Sequence, residues 1–555
     1  MAVGQGGEPP PERPTLGPGP HPRYPAPMRL LLPSLLLACG GKSADTSSDE
    51  PPAEQPAWLD LGEEQACEAP TAAPTYIDVA QDWGLGGIHS EDSPHAAGAG
   101  AAVADLDGDQ DLDVALAYVT GPAQVFWRDG DAYTPGPTLA SGESGATGFG
   151  LADSDGDGDL DIGVTGSTTR VAWNENQGDG SFQDVTATTL GALNSSYGYT
   201  APIAADWDRD GDVDLALPVR MPGGRSRGDR LYDNDGTGVF TDITLQALPE
   251  TEGALTFQGL FFDANNDLYP ELYAINDQGN VFGGNAFFLN EAGGRFTSGV
   301  DRCGCAPVVG GMSGTAGDVN RDGYLDLFLG NSDACNLMIN DGAGRFYDSA
   351  AVAGVQEVVA EGDPDMVWGS MLFDHDNDGD LDILAVHGDL ISEMEPREPL
   401  ELADTLLSQQ PDGTFTDVAP ALGLDALDSG RSVVVDHWND DGVLDILVTV
   451  INDWPHLYLS QSCTAGSWLA LRLEGPPGNP FGLGARVEVE AGGQTFIAEA
   501  THASGLNAAR DSRVHLGLGE ADTIEALRVS WPDGSVSETT FAFAARRSIT
   551  VAWSP

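Results

Sequence analysis

A chain of 555 residues exceeds one small domain, and a hydrophobic content of 41% is enough to exclude wholesale disorder. Its 87 acidic against 24 basic residues leave a formal charge of −63, a field that repels nucleic-acid phosphates and anionic lipid and attracts cations. The 72 glycines suit a turn-rich all-β protein better than a helical one.

At the N-terminus, Met28-Arg29 is followed by a short Leu-rich run ending in Leu36-Leu37-Ala38-Cys39. This stretch resembles a bacterial lipoprotein signal, which makes Met28 the expected start and Cys39 the acylated residue. The apolar run is too short to span a bilayer, so the signal region is 1–39 and the membrane is reached through lipid only. Gly40 after the cysteine favours outer-membrane or cell-surface sorting. Residues 40–72 are rich in Pro, Glu, Ser and Asp and read as a flexible stalk.

From residue 73 to 463 an acidic nonapeptide recurs. Loop 1 carries Asp105, Asp107, Asp109, Asp111 and Asp113; loop 2 carries Asp153, Asp155, Asp157, Asp159 and Asp161. Loop 3 carries Asp206, Asp208, Asp210, Asp212 and Asp214, and a degenerate loop 4 carries Asp263, Asn265, Asp267, Tyr269 and Glu271. Loop 5 carries Asp318, Asn320, Asp322, Tyr324 and Asp326, and loop 6 carries Asp374, Asp376, Asp378, Asp380 and Asp382. Loop 7 keeps Asn439, Asp441 and Asp445 but starts with His437, beside which Asp436 offers a substitute. First positions lie 48, 53, 57, 55, 56 and 63 residues apart, near the length of a four-stranded propeller blade.

Each loop runs into an apolar strand such as Leu112–Tyr118, and Gly-rich turns such as Asn176–Phe182 follow as hairpin connections. The last repeat lacks its Phe-x-Asp-Val strand, whereas Tyr76-Ile77-Asp78-Val79 supplies such a strand at the start. The expected fold is therefore a seven-bladed propeller closed by its N-terminal strand, which removes exposed sheet edges. Cys67 and Cys463 flank the closure and are expected to form a disulfide. Cys335 has Cys303 and Cys305 as alternative partners, and the sequence does not choose between them.

Oxygen ligands at positions 1, 3, 5 and 9, a carbonyl at 7 and a turn at 6 suit a hard cation with six to eight ligands. An all-oxygen shell on a flexible loop points to Ca2+, about five to seven ions, rather than zinc, copper or magnesium. The loop ends at position 9 and enters a strand, unlike the longer EF-hand loop between helices.

These repeats resemble FG-GAP/VCBS repeats, the blades of integrin-α-like propellers. The tail 464–555 resembles the ASPIC/UnbV domain through Asn479–Val487, Arg513–Gly519 and Val529–Gly534. The combination resembles bacterial members of the cartilage acidic protein family. The resemblance implies an extracellular, calcium-dependent, non-catalytic binding or adhesion module for a glycan or protein. The tail's short strands and Gly/Pro turns suggest a small β-sandwich-like domain.

The alternative is a hydrolase or lyase acting on polysaccharide from a propeller scaffold. Against an enzyme, no nucleophile elbow, zinc-protease motif or phosphate loop occurs. His375 and His437 read as solvated loop residues, and His515 and Arg513 as structural. Trp127, Trp173, Trp207, Trp368 and Trp438 read as blade core rather than sugar platforms. Arg227-Gly228-Asp229 is a tripeptide that a Gly-, Asp- and Arg-rich chain produces by chance.

Overall fold

A computed structural model of the chain describes residues 54–555 apart from 68–69, 72, 88–98, 119–120, 142–144, 167–170, 192, 194–197, 221–227, 250–254, 333, 357–364, 390–401, 452 and 462. The signal region 1–39 with Cys39, and the stalk up to residue 53, lie outside the described residues. No helix among the described residues is long and apolar enough to cross a membrane.

The architecture is all-β, built of successive four-stranded blades. In each blade an acidic loop joins the first strand to the second. In the first blade those strands are Ala101–Ala104 and Asp113–Leu116, followed by Ala123–Asp129 and Ala132–Leu139. Seven such sheets form among the described residues. Short apolar runs buried on both faces fit this layering, because each sheet is covered by a neighbour on either side. Leu151, Ile162 and Val164 pack with Leu106 and Val125 between the first two sheets, and comparable clusters fill the spaces between the others.

The order is circular. First strands touch in sequence, and the last of them, Gly430–Asp436, touches Ala101–Ala104. A shared core of Val434, Trp438 and Leu447 with Val103, Val114 and Leu116 joins the seventh sheet to the first. Tyr76–Asp78 is the outer strand of the seventh sheet, pairing antiparallel with His456–Ser460 so that Ile77 faces Leu459. Cys67 and Cys463 are joined in a disulfide beside this seam. Cys303 and Cys305 are joined to each other; Cys335 is buried and in neither bridge, so neither pairing considered for it forms.

The tail forms two facing sheets around a core that includes Leu471, Val487, Leu527 and Trp531. One strand of this sandwich comes from the segment expected to be stalk: Leu59–Asp60 pairs with Val551 and Thr550 of the last strand, Arg547–Ala552. Residues 54–67 are thus folded, because Trp58, Leu59 and Leu61 place an apolar cluster against the sandwich core inside an otherwise polar stretch.

The tail also enters the ring. Ala509–Arg510 pairs in parallel with Ala102 and Val103. Gln258 Nε2 donates to the Ser504 carbonyl (3.0 Å), Ser504 Oγ donates to the Val433 carbonyl (2.9 Å), and Leu506 packs with Phe257, Met312 and Trp368. Residues 504–510 therefore occupy the middle of the ring of first strands. Gly148 fits this approach: a Cβ there would stand 2.8 Å from Asn507 Oδ1.

Candidate metal centre

The nonapeptide is held by its own amides. In loop 1 Asp105 accepts from the N–H groups of Gly108 (2.8 Å) and Gln110 (3.0 Å), and Asp107 accepts from Asp109 (3.3 Å). Such side-chain-to-backbone bonds turn the chain tightly and aim the odd-numbered side chains inward. Position 6 has positive φ in every loop, including Gln110 (77°) and Leu268 (65°), so loops 1 and 4 make the turn without glycine.

The ninth residue has a role the spacing did not reveal. Asp113 Oδ2 accepts from Leu106 N–H (3.0 Å), and its Oδ1 accepts from Arg128 N–H on the third strand (2.9 Å). Asp161, Asp326, Asp382 and Asp445 repeat both bonds, with third-strand donors Asn176, Asn340, Gln409 and Ser460. Glu271 accepts from Ala264 N–H (2.9 Å) in the same way. The ninth acid thus ties the loop to its own sheet.

A second tie runs between sheets. Asn176, Asn234, Asn290 and Asn340 each donate their side-chain amide to a second-position carbonyl of the preceding loop: Leu106, Ser154, Trp207 and Ala264, all at 2.8–2.9 Å. The Asn recurring at the start of four of the Gly-rich turns was the available signal.

The acids converge in four loops. Ligand atoms of Asp105, Asp107 and Asp113 lie within 4.8 Å of one another, as do those of Asp153, Asp155 and Asp157, of Asp206, Asp208 and Asp210, and of Asp374, Asp376 and Asp378. Asp109, Asp159 and Asp212 stay outside these trios, as does Asp111, which accepts from Gly130 N–H (3.1 Å). Asp380 pairs with Arg321 at 2.6 Å. In loops 4, 5 and 7 the third residue is Asn, and no trio of acids gathers among the described residues. There Asn265 donates to Glu271 (3.1 Å), Asn320 to Asp322 (3.0 Å) and Asn439 to Asp441 (3.2 Å), while Asp263 and Asp318 accept from the amides of Asp267 and Asp322. Tyr269 stacks under Arg209 (4.6 Å), and the Tyr324 ring lies over Gly342.

Burial and mutual repulsion make this crowding costly for the ionised acids. Burial, and then the like charges of Asp210 and Asp208, push Asp206 up to about 7. Burial raises Asp153 and Asp318 to about 6, Asp113 and Asp161 to about 7 and Asp326 to about 8. In loop 3 both carboxylate oxygens of Asp206 and Oδ2 of Asp214 are buried with no well-aligned donor, although Asp206 is 3% exposed. A buried acceptor without a donor is expensive, and a divalent cation among Asp206, Asp208 and Asp210 would satisfy it. The residues present fit an oxygen-liganded cation.

Loop 7 is built differently. His437 is buried, and its Nε2 meets His515 Nδ1 at 3.1 Å. Burial, with His515, Arg513 and Arg510 nearby, pushes His437 down, and burial brings His515 to about 3, so the pair is neutral. Asp436 Oδ1 accepts from the adjacent His437 N–H (2.7 Å), and Arg513 and Arg510 lie close to its carboxylate. His375 is likewise buried, with Nδ1 2.6 Å from Asp382 Oδ2. The solvated reading of both loop histidines is thereby corrected: His375 is buried against the ninth acid of its own loop and His437 against the tail. Trp173, Trp207, Trp368 and Trp438 are fully buried core residues, and Asp229 is buried, accepting from Val219 N–H (2.9 Å).

Residues 105–164, 158–217, 263–329 and 318–385 match the FG-GAP-like repeat, and residues 475–554 match the family described as ASPIC and UnbV. The chain thus carries four FG-GAP-like repeats and a C-terminal ASPIC/UnbV domain. Similar solved structures include an Agrocybe aegerita lectin that recognises non-reducing terminal N-acetylglucosamine (17% identical, covering 68% of this chain and 94% of that one, TM-score 0.37). Others are Sqt1 of Saccharomyces cerevisiae (9%, 70% and 99%, 0.39) and the exotype rhamnogalacturonan lyase YesX (13%, 71% and 76%, 0.36). With TM-scores below 0.5, these likenesses carry no argument about ligand or reaction. No curated protein matches the chain significantly.

Proposed function

We propose that this protein is an exported calcium-binding propeller, lipid-anchored through Cys39 at the outer membrane or cell surface, that binds a glycan or protein ligand without catalysis. The supporting observation is loop 3, where Asp206, Asp208 and Asp210 converge and Asp206 keeps two buried oxygens without a well-aligned donor. A bound cation supplies the positive charge that lets these acids ionise side by side. The oxygen-only donor set favours calcium, and extracellular sites of this kind bind at about 10⁻⁴–10⁻³ M. Loops 1, 2, 3 and 6 are the strong candidates; loops 4 and 5 offer Asn in place of one acid, and loop 7 offers a histidine pair.

The histidines near the loops favour binding over catalysis. His375 and His437 are buried in the packed interior, His375 against Asp382 and His437 against His515, which leaves them no open face toward a substrate. The reading is tested by probing glycan and extracellular-protein arrays with the purified mature chain in 2 mM calcium and in chelator. Retention on a defined ligand class that chelator abolishes is the expected result. Turnover of a polysaccharide, or retention indifferent to calcium, contradicts it.

A further inference from the structure

The fourth residue of the acidic loop is outside the expected ligand set, yet in all seven loops it takes positive φ: Gly108 (81°), Gly156 (76°), Arg209 (65°), Asn266 (61°), Arg321 (56°), Asn377 (61°) and Asp440 (51°). Five of these are not glycine, and left-handed backbone disfavours any residue with a Cβ. In each of the five, the side chain reaches the C-terminal region. Arg209 Nε donates to the Pro532 carbonyl. Asn266 Oδ1 accepts from Arg486 (2.9 Å). Arg321 donates to Gln494 (2.7 Å) and lies over the Phe496 ring. Asn377 Nδ2 donates to Thr464 Oγ1 (3.0 Å), and its Oδ1 meets His515 Nε2 at 2.8 Å. Asp440 accepts from Arg513 (3.2 Å).

The tail backbone also rests on expected ligand positions. A Cβ at Gly517 would overlap the Asp374 carboxylate, and one at Gly478 would stand 2.6 Å from Asp212 Oδ1.

We propose that in loops 3 and 6, where the acids at positions 1, 3 and 5 converge, the fourth position is a latch, through which cation loading of the loop and docking of the C-terminal domain on the loop face form one coupled equilibrium. The inference rests on the calcium reading above. The latch residue sits between ligand positions 3 and 5, so its direction is set by the turn that brings those two acids to one point. Without a cation the acids at positions 1, 3 and 5 repel, the turn relaxes, and the left-handed residue between them is released toward its preferred conformation. Coupling is reciprocal, so a docked tail also strengthens cation binding. A second consequence concerns the ligand: while the latch is closed the tail covers the loop face, and an external partner must use another surface.

The test is hydrogen exchange on the full mature chain, read in peptides covering 464–534, with calcium stoichiometry measured in parallel by titration calorimetry. Chelation is expected to speed exchange there at least about fivefold. The variant combining Arg209→Gly and Asn377→Gly keeps every acid and the turn, as Gly108 and Gly156 do in their loops. It should bind the same number of ions yet exchange at least about fivefold faster than the parent in calcium. Should that variant fail to fold by circular dichroism, Arg209→Gly alone is read in the same peptides. Calcium binding with exchange unchanged by chelator, or a glycine variant as protected as the parent, overturns the latch and leaves the calcium reading standing. Absence of any calcium binding overturns both.

Discussion

In loop 3 the first residue is Asp206, buried beside Asp208 and Asp210 with neither oxygen given a well-aligned donor; in loop 7 it is His437, whose ring meets His515 at 3.1 Å. The two loops otherwise share a frame. The fourth residue is left-handed in both, Arg209 and Asp440, and the ninth acid accepts from the third strand, Asp214 from Asn234 (2.8 Å) and Asp445 from Ser460 (2.7 Å). Loop 7 thus keeps its shape after losing the first acid. In loop 3 the parts are separable: Asp214 serves the fold, Arg209 faces the tail, and Asp206, Asp208 and Asp210 gather where a cation would sit. The seam of the seventh sheet shows the same electrostatic problem solved internally, since Asp78 and Asp428 flank His456 at 2.7 and 3.1 Å.

The largest expected effect is cation removal. At a calcium concentration tenfold above the dissociation constant each site contributes about 1.4 kcal/mol, so four to five sites sum to about 6–7 kcal/mol. Differential scanning calorimetry should show Tm falling by roughly 5–10 °C in chelator. An unchanged Tm would place loop 3 with loop 7 as a cation-free turn.

Next is the frame. Asp445→Ala removes a buried acid that accepts from Trp438 and Ser460 amides, and should cost about 3–5 kcal/mol in urea denaturation with or without calcium. A loss seen only in calcium would assign Asp445 to a cation instead of the fold.

A smaller effect belongs to the seam. Burial lowers His456, but its hydrogen bonds to Asp428 and Asp78 outweigh burial and hold it at about 10. A raised pKa means the protonated ring stabilises the fold fully below its unfolded value near 6.5, and that the contribution is lost as pH rises through about 10. His456→Gln should therefore cost about 2 kcal/mol at pH 6 and little above pH 10, measured by urea denaturation at both values. An equal cost at both would mean that shape and not charge closes the ring.

The smallest effect is Asp206→Asn. It removes repulsion from an already strained trio, so stability in chelator should change by less than about 1 kcal/mol while calorimetry counts one ion fewer. A large loss in chelator would show that Asp206 serves the frame.

Much of this was legible in the chain. The spacing of loops marked each blade's first turn, and Tyr76–Val79 marked the strand that closes the last sheet, because a missing segment and a displaced copy are visible without coordinates. The roles within the loop were not, since Asp at positions 1, 3, 5 and 9 looks alike in one dimension. Only the third dimension shows Asp113 accepting from the Leu106 and Arg128 amides while its carboxylate also gathers with Asp105 and Asp107. His375 and His437 were misread because loop position suggested exposure, whereas a neighbouring acid buries one and the tail buries the other. The sandwich strand at Leu59–Asp60 was hidden in a Pro- and Glu-rich stretch whose composition outweighed three apolar residues.

Anomalous diffraction from crystals grown in millimolar calcium tests the division of labour most directly. Peaks coordinated by Asp105, Asp153, Asp206 and Asp374, with none at His437, are the predicted result. Bare acidic turns in loops 1, 2, 3 and 6, or a peak in loop 7 as strong as theirs, would contradict it.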